Sequence, residues 1–484
     1  MGSNIYDSAL EQAELIRTKK VSSEELTERY IRRIEKYDNE INAVVVRTFD
    51  DALERAKEAD SALARGDLLG PLHGVPMTIK ESYVMANTPS TWGIEAFKNN
   101  YSDSDGLAVR RFRAAGAVFL GKTNVPTDLA DFQSYNPIYG VTGNPYDPTR
   151  TPGGSSGGSA ASLASGFSAL EAGSDIGGSI RNPAHFCGIY GHKPTYGIVP
   201  MKGHELVPGI PEADLAVCGP LARSADDLAV ALDIMARPVD REAIALRVDL
   251  PRADFAELKD LRVAIWASDD IAPVSQDTIN RANQVARILR DEGATVSEEV
   301  RPNFDTAFAH ANYQSLLTAV MTSAMRPAEV KLALAAAAEL DPDDRSISAV
   351  NTRATVMSHR DWIRTNTRRE KLRRAWDEFF QEWDILVCPQ MATSAFPHDH
   401  RPFGDRVIMV DQTEQSYFKQ IFWAGMIVNA YLPSTVFPTG LDAEGLPIGL
   451  QAVSAPYRDH RTIEFAKQIT QHVGGFKAPE NMIA

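Results

Sequence analysis

The stretch TPGGSSGGSAASLASG, residues Thr151–Gly166, consists almost entirely of glycine, serine and alanine. This composition is typical of flexible linkers. The stretch nevertheless lies about a third of the way along a chain of 484 residues, between segments that look structured. Small residues also allow backbone amides to approach a ligand closely. Two interpretations are therefore open, a spacer and a catalytic loop, and the flanking sequence has to decide between them.

A second turn of small residues follows closely. Phe167–Ala172 has strand character, and GSDIGGS, residues Gly173–Ser179, comes directly after it. We expect Ser159–Ser165, rich in alanine and serine, to form a helix packed beneath the two turns. Because a spacer would not be tied to such a partner, the repeated pattern favours a catalytic loop.

The rest of the chain alternates helical and strand patterns. Strand patterns at Val75–Lys80 and Ala117–Leu120 return late in DILVCP and STVFPTG, and residues 305–383 read as mostly helical. This alternation indicates an α/β fold with a mixed sheet. Because no linker separates the early and late strands, we expect one large domain over residues 1–484. Within it we expect N-terminal helices at 1–66, a core at 67–235 and a variable, mostly helical pocket region at 300–430. In the first part, SSEELTERYIRRIEKY begins with serine caps followed by Glu24 and Glu25, and a second helix ends at Gly66.

Composition excludes several classes of protein. The net charge of −14 argues against a basic nucleic-acid surface. No apolar run approaches the roughly 20 residues that cross a bilayer, and the N-terminus lacks an apolar signal segment. The three cysteines, Cys187, Cys218 and Cys388, are far apart and predict reduced, buried thiols. We therefore expect a cytoplasmic protein with no nucleic-acid or membrane partner.

One nucleotide-binding motif is misleading. GAVFLGKT, residues Gly116–Thr123, matches the P-loop pattern in full. Its four middle residues are apolar and read as a buried strand, which cannot curl its amides around a phosphate. Pro126 then follows before any helix has started. The match therefore does not predict an NTPase.

A second motif, GGSSG at Gly153–Gly157, matches the nucleophile elbow of α/β-hydrolases. An elbow requires a strand just before the serine, but here the preceding residues NPYDPTRTP read as loop. Such an enzyme also needs a histidine, and nothing marks His398 or His400 for that role. We therefore set this interpretation aside.

Five segments together resemble the amidase signature family. They are PLHGVPMTIKES, GAVFLGKTNVPTD, GGSSGGSAA, GSDIGGSIRNPAHFCGIYGHKPTYG and GLPIGLQAVSAP. The resemblance covers roughly Ser8–Val473, although residues 240–430 match only loosely. It implies the fold of that family, a single domain with a mixed, twisted β-sheet surrounded by α-helices. An aryl acylamidase or urethanase-type member is the closest expectation.

The resemblance implies a Ser–cisSer–Lys triad. Ser179 would be the nucleophile, Ser155 the proton relay after a cis peptide bond from Gly154, and Lys80 the base. The two serines are 24 residues apart, as the family pattern requires. Lysine acts as a base only when neutral, and burial lowers its pKa. We therefore expect Lys80 to be desolvated.

The resemblance also implies an oxyanion hole and its support. The expected donors are the backbone amides of Ile176, Gly177, Gly178 and Ser179. The expected supporting residues are Gly154, Ser156, Ser174, Asp175 and Arg181. Charges inside a glycine-rich loop need partners, so we interpret Asp175 and Arg181 as a structural ion pair. No metal or organic cofactor is implied.

The expected activity is hydrolysis of a small-molecule amide through an acyl-enzyme. Loops near Tyr83–Trp92, Gln133–Tyr139 and 305–430 should line the pocket and favour aryl or apolar substrates. Their large side chains are Met85, Trp92, Tyr135, Tyr139, Tyr313 and Trp423. In the family it resembles, members that bind an anionic substrate can carry an arginine three residues after the nucleophile, so Asn182 at that position argues against a dicarboxylate substrate. We expect a monomer or homodimer.

Three alternatives stay open. A carbamate hydrolase would use the same triad, because the oxyanion is the same. An amidotransferase subunit working with partner proteins is less favoured, because MKGHELVPGIPEADLAVCGPLARS departs from the expected pattern. A non-catalytic binding scaffold would leave Ser179 unlabelled by a serine-reactive probe.

Overall fold

The structure, a computed structural model, describes residues 4–482; the ends of the expected domain, 1–3 and 483–484, lie outside the described residues. The α-helices are α1 Ala9–Arg17, α2 Ser23–Ile41, α3 Phe49–Arg65, α4 Leu107–Ala114, α5 Gly157–Ala164, α6 Arg181–Phe186, α7 Ala225–Met235, α8 Gln276–Asp291, α9 Thr306–Met321, α10 Pro327–Ala338, α11 Ile347–Thr355, α12 His359–Glu382, α13 Ile421–Asn429 and α14 Asp459–Val473. The β-strands are β1 Val44–Arg47, β2 Pro76–Lys80, β3 Val118–Thr123, β4 Tyr135–Asn136, β5 Gly140–Val141, β6 Leu170–Asp175, β7 Tyr190–Lys193, β8 Val217–Ala222, β9 Arg262–Ile265, β10 Thr295–Ser297, β11 Ile385–Pro389, β12 Val407–Val410, β13 Thr413–Ser416, β14 Ser434–Leu441 and β15 Pro447–Val453.

A mixed sheet of eight strands forms the centre of the fold. Its order is β10-β9-β11-β15-β14-β7-β8-β6. The strands β10, β9 and β11 pair in parallel, and every later pair is antiparallel. The helices α14, α7 and α8 pack on this sheet around a large apolar core. The expected single α/β domain with a mixed sheet and surrounding helices is confirmed.

A smaller sheet of order β1-β3-β2 lies beside the edge strand β6. The Ala169 N–H donates to the Pro76 carbonyl at 3.1 Å, which joins the start of β2 to the segment that leads into β6. The parallel strands β2 and β3 are completely buried. This arrangement carries Lys80, the last residue of β2, into the interior beside β6.

Residues 4–66, expected to be helical, hold α1, α2 and α3 and also the short strand β1, which pairs with β3. Ser22 caps α2, and Ser22 and Glu25 form the reciprocal capping box expected of SSEE. Gly66 ends α3 with a φ of +89°, a left-handed conformation that glycine adopts without steric cost. Because apolar residues recur at helical spacing, α2 and α3 present buried faces to the core.

Two strand boundaries differ from the expectation. The strand expected at Phe167–Ala172 is β6, Leu170–Asp175, because the Phe167 N–H closes the last turn of α5 on Ser162 and β6 pairs with β8 as far as Asp175. The turn after it is therefore shorter than GSDIGGS. The strand expected at Ala117–Leu120 is β3, which continues through the lysine and threonine of the P-loop match.

Residues 306–382 form the helices α9–α12, as their sequence predicts. The helix α9 packs against α11, α12 and α13, whereas α10 has no buried residue. Among residues 4–482, none of the helices combines the length and apolarity that crossing a bilayer would require. This helical region approaches the loop between β6 and α6, residues 176–180, through α9 and α13.

Candidate active site

The expected triad residues come from three neighbouring segments. Lys80 ends β2, Ser155 lies in the turn before α5, and Ser179 lies between β6 and α6. The peptide bond between Gly154 and Ser155 is cis. The Ser156 N–H donates to the Ser179 carbonyl at 3.1 Å, so the two serine-bearing turns are directly joined.

The Lys80 ammonium contacts two hydroxyls. Its Nζ lies 2.7 Å from Ser155 Oγ and 2.9 Å from Ser174 Oγ. The lysine is fully buried, and this desolvation lowers its pKa to about 7, although the nearby Cys218 and Asp175 act in the opposite direction. A lysine with this pKa holds and releases a proton near neutral pH. Sequence reasoning named Ser174 as a supporting residue but did not identify its contact with Lys80.

Ser179 lies at the edge of the buried region. The residue is 9% exposed to solvent. Among residues 4–482, Ser179 Oγ has no hydrogen-bond partner, whereas Ser155 and Ser174 are both paired with Lys80. The Ser179 hydroxyl is therefore available to a ligand.

The loop amides require one correction. Gly178 was expected to donate to an oxyanion, but its N–H already donates to Asp175 Oδ1 at 2.8 Å. The same carboxylate also accepts from the Ile180 N–H, at 3.2 Å from Oδ2. Within the described residues, the N–H groups of Ile176, Gly177 and Ser179 have no acceptor. Three of the four expected donors therefore remain free.

Asp175 and Arg181 form the ion pair that supports this loop. Both side chains are fully buried and their charged atoms are 3.0 Å apart. Burial alone would raise the pKa of Asp175, but Arg181 and Lys193 hold that pKa below its ordinary value. Arg181 also donates to Gln451 Oε1 on β15 at 2.9 Å. The loop is therefore attached to a strand 270 residues later in the chain.

Tyr313 on α9 fixes the other end of the loop. Its hydroxyl donates to the Ile176 carbonyl at 2.7 Å, and the ring is fully buried. Gly425 on α13 makes room for this ring, because a Cβ there would lie 2.2 Å from Tyr313 Cδ1. The sequence analysis expected Tyr313 to line the pocket. It did not predict this hydrogen bond, because no local sequence pattern links Tyr313 to the loop.

The other expected pocket residues are dispersed. Met85 belongs to the core under the large sheet, and Trp423 belongs to a separate core, where its Nε1 donates to Ala272. Trp92 donates to the Ser82 carbonyl, and Tyr139 to Glu81. Of the six large side chains, Tyr313 alone has a hydrogen bond to the loop within residues 4–482. Most of them therefore stabilise core and loops.

No described cluster of histidine, cysteine, aspartate or glutamate has three members placed to hold a metal ion. The three cysteines are free and buried within residues 4–482. His398 and His400 lie beside each other, and His400 stacks on Tyr135.

The groups that the structure gathers at the loop are a buried amine, three hydroxyls and backbone amides. Such groups suit proton transfer and stabilisation of an oxyanion.

Comparison with known proteins places the chain in a family. The Amidase family model matches residues 25–463. An indoleacetamide hydrolase from Bradyrhizobium diazoefficiens is 30% identical over 477 residues, which cover 96% of this chain and 86% of that protein. A glutamyl-tRNA(Gln) amidotransferase subunit from an Anaeromyxobacter species is 32% identical, and the match covers 96% of both proteins.

Solved structures have the same fold. One belongs to a vestigial protein complex described as revealing the origins of an s-triazine catabolic enzyme; it has a TM-score of 0.80 at 28% identity and covers 98% of this chain and 100% of its own. A bacterial aryl acylamidase of the amidase signature family has a TM-score of 0.79 at 23% identity, with 96% of each chain covered. The chain therefore belongs to the amidase signature family of amidohydrolases.

Proposed function

We propose that this enzyme hydrolyses linear aryl or otherwise apolar amides through an acyl-enzyme. Ser179 is the nucleophile, Ser155 the proton relay and Lys80 the base. The observation that carries this proposal is the fully buried Lys80 Nζ, 2.7 Å from Ser155 Oγ. Because burial lowers the pKa of Lys80 to about 7, a large fraction of this lysine is neutral at pH 7.

Acylation begins with proton transfer. Ser155 passes its proton to neutral Lys80 and takes the proton of Ser179, whose Oγ attacks the carbonyl carbon. A C–O bond forms, and the π electrons of the carbonyl move to its oxygen. The amide nitrogen then takes a proton from Ser155, which is reprotonated by Lys80. The C–N bond breaks, the amine leaves and an ester to Ser179 remains.

Free amides support the developing negative charge. The N–H groups of Ile176, Gly177 and Ser179 lie at the turn that carries the nucleophile, and no described residue accepts from them. Loss of one such donor costs about 3 kcal/mol of transition-state stabilisation in a serine hydrolase. The buried ion pair of Asp175 and Arg181 supports this turn, and so does the Tyr313 hydroxyl, which donates to the Ile176 carbonyl.

Deacylation repeats these steps with water. Neutral Lys80, through Ser155, takes a proton from water, whose oxygen attacks the ester carbonyl. Collapse of the intermediate returns a proton to Ser179 Oγ and releases the carboxylic acid. No step changes an oxidation state, and every proton is carried by Lys80, Ser155, Ser179, water or the product.

The substrate class rests on a relative and on the loop's surroundings. The relative from Bradyrhizobium is named for hydrolysis of indoleacetamide, an amide with an aromatic acyl group. Here Ile421 and Tyr313 pack against Gly177, and Ile176 is the one residue between 151 and 193 that is not buried. The apolar side chains of Ile421 and Ile176 favour an aryl or other apolar group over a charged one.

The other candidates use the same triad. An aryl carbamate presents the same carbonyl to Ser179 and releases an alcohol before carbon dioxide and amine. The amidotransferase relative matches as well as the hydrolase does, so release of ammonia from glutamine is the second candidate. It differs from the first in its small polar substrate.

The test is intact-mass spectrometry after incubation with a fluorophosphonate, with an aryl amide, an aryl carbamate and glutamine as competitors. We expect one adduct on the wild type, none on Ser179→Ala and protection by the aryl amide. Ser165→Ala is the matched control, because Ser165 is a buried serine at the far end of α5. An adduct that persists on Ser179→Ala contradicts the nucleophile assignment, and protection by glutamine alone contradicts the substrate class.

A further inference from the structure

Gln390, the residue after β11, carries a side-chain amide whose polar atoms are both unsatisfied. The side chain is fully buried, and neither Oε1 nor Nε2 has a hydrogen-bond partner within residues 4–482. Buried polar groups in native proteins are normally paired, because desolvation without a partner is costly. An amide with two unsatisfied groups is ready to receive a ligand or a water molecule.

The Gln390 amide lies against the nucleophile loop. A Cβ placed on Gly178 would be 2.6 Å from Gln390 Nε2 and 3.1 Å from Ala424 Cβ. Gly178 has a φ of +106° and immediately precedes Ser179. Glycine at this position therefore brings the Gln390 amide into direct contact with the backbone that carries the nucleophile.

The neighbouring glutamine, Gln451, has partners on both sides of its amide. Gln451 Oε1 accepts from Arg181 at 2.9 Å and from Ser434 at 2.9 Å. Its Nε2 donates to the carbonyl of Pro389, the residue before Gln390, at 2.8 Å. Within residues 4–482 several buried amides have one unpaired atom, but Gln390 alone lacks a partner at both its oxygen and its nitrogen.

The unpaired loop amides and the unpaired Gln390 side chain would bind different parts of a substrate. The amides of Ile176, Gly177 and Ser179 are donors, so they suit the carbonyl oxygen of a substrate. An amide substrate also carries an N–H, which needs an acceptor, and an ester does not. Gln390 Oε1 is an unpaired acceptor, and rotation about the last side-chain bond exchanges it with Nε2.

We propose that Gln390 Oε1 accepts the N–H of the scissile amide and thereby makes the enzyme select amides over esters. This inference rests on the proposed function and adds a specificity-determining residue to the same site. A site built to bind an N–H discriminates against an analogue without it, because its own buried acceptor is then left unpaired. Gln390 therefore stabilises the bound amide and penalises the ester.

The test compares kcat/KM for 4-nitroacetanilide with kcat/KM for 4-nitrophenyl acetate in each variant. The difference in intrinsic reactivity between the two substrates cancels when the anilide-to-ester ratio is compared with that of the wild type. We expect Gln390→Met to lower this ratio about tenfold, since one hydrogen bond to the anilide is lost. Gln390→Glu, which keeps an acceptor, should restore the ratio to within about threefold of the wild type.

Gln415→Met is the matched control. Gln415 is a buried glutamine on β13 with an unpaired Oε1, and its Nε2 donates to Pro273, away from the nucleophile loop. This variant should leave the ratio unchanged. An unchanged ratio in folded Gln390→Met overturns the proposal and assigns the amide to an ordered water or to packing.

Two further arms separate the possible failures. Ser179→Ala should lose both activities; if it retains them, the proposed function fails and the inference about Gln390 fails with it. Should neither Gln390 variant fold, the wild type is given N-methyl-4-nitroacetanilide, which has no N–H. After each kcat/KM is divided by the rate constant for alkaline hydrolysis of the same substrate, a value at least tenfold below that of 4-nitroacetanilide supports the proposal, and an equal value overturns it.

Discussion

Residues 151–193 and residues 300–430 contribute to the same site in different ways. In the first region every residue except Ile176 is buried, and it carries Ser155, Ser174, Ser179 and the loop amides. The second region includes α10, which has no buried residue, yet it supplies Tyr313 and Gln390 beside the loop. The comparison teaches that the two serines proposed to react and the loop amides are local in sequence, whereas Lys80 and supporting side chains such as Tyr313 come from distant segments.

The largest expected effect concerns the first region. Ser155→Ala removes the hydroxyl that contacts Lys80 Nζ and that we propose as the proton relay, so we expect kcat for an aryl amide to fall by about 10⁴-fold or more. Steady-state kinetics measure this loss, and circular dichroism checks the fold. Ser165→Ala, a change of the same type at the opposite end of α5, should keep full activity. If the two variants behave alike, the reacting groups are not where we place them.

The second effect concerns the helical region. Tyr313→Phe removes the hydrogen bond to the Ile176 carbonyl and loosens the oxyanion loop, so kcat should fall by about 10–100-fold with a small change in KM. Tyr30→Phe is the matched control, because this fully buried tyrosine donates to the Ile5 carbonyl among the N-terminal helices. Equal loss of activity in both variants would reduce the role of Tyr313 to stability.

The pH dependence of kcat/KM should distinguish the role of Lys80 from that of Tyr313. Because Lys80 must be neutral to accept a proton and its pKa is about 7, kcat/KM should fall about tenfold per pH unit well below pH 7 and reach a plateau above it. Measurements from pH 5 to 9 test this. Tyr313→Phe should lower the plateau without moving the midpoint, since Tyr313 does not contact Lys80. A midpoint that stays fixed in a Lys80 variant with residual activity would assign it to another group.

The smallest effect is on stability. Lys80→Met should be inactive yet more stable at pH 7, by on the order of 1–4 kcal/mol, because it avoids burying an amine. The folded-state pKa of Lys80 is below the unfolded value, so the wild type gains stability as pH rises from about 7 toward 10.5. The advantage of the variant should therefore shrink over that interval, as urea unfolding at several pH values will show. A variant less stable than the wild type at pH 7 contradicts this.

The sequence predicted the parts of the molecule that have local causes. Alternating strand and helix patterns predicted an α/β domain, and capping residues such as Ser22 and Gly66 predicted helix ends. The motif resemblance named Lys80, Ser155 and Ser179, and the structure brings their three segments together. Their roles remain predictions for the experiments above.

Features that depend on tertiary contacts were not predictable. The expected Gly178 donor is taken because Asp175 turns back onto its N–H, and the strand end at Asp175 follows from pairing with β8. Tyr313 reaches Ile176 across 137 residues of sequence, and no spacing rule connects two such positions. Large aromatics such as Trp423 looked like pocket residues because composition does not distinguish a pocket wall from a core.

The position of β14 and β15 has a consequence for synthesis on the ribosome. These strands come last in the chain but lie in the middle of the large sheet, between β11 and β7. Before residues 434–453 emerge, β7 and β11 each have an open edge, which is the kind of surface that pairs with other chains and aggregates. Arg181 likewise lacks its hydrogen-bond acceptor on Gln451 until these residues emerge. A nascent chain therefore carries all three triad residues long before it can complete the site, and chaperone protection should matter most in that interval.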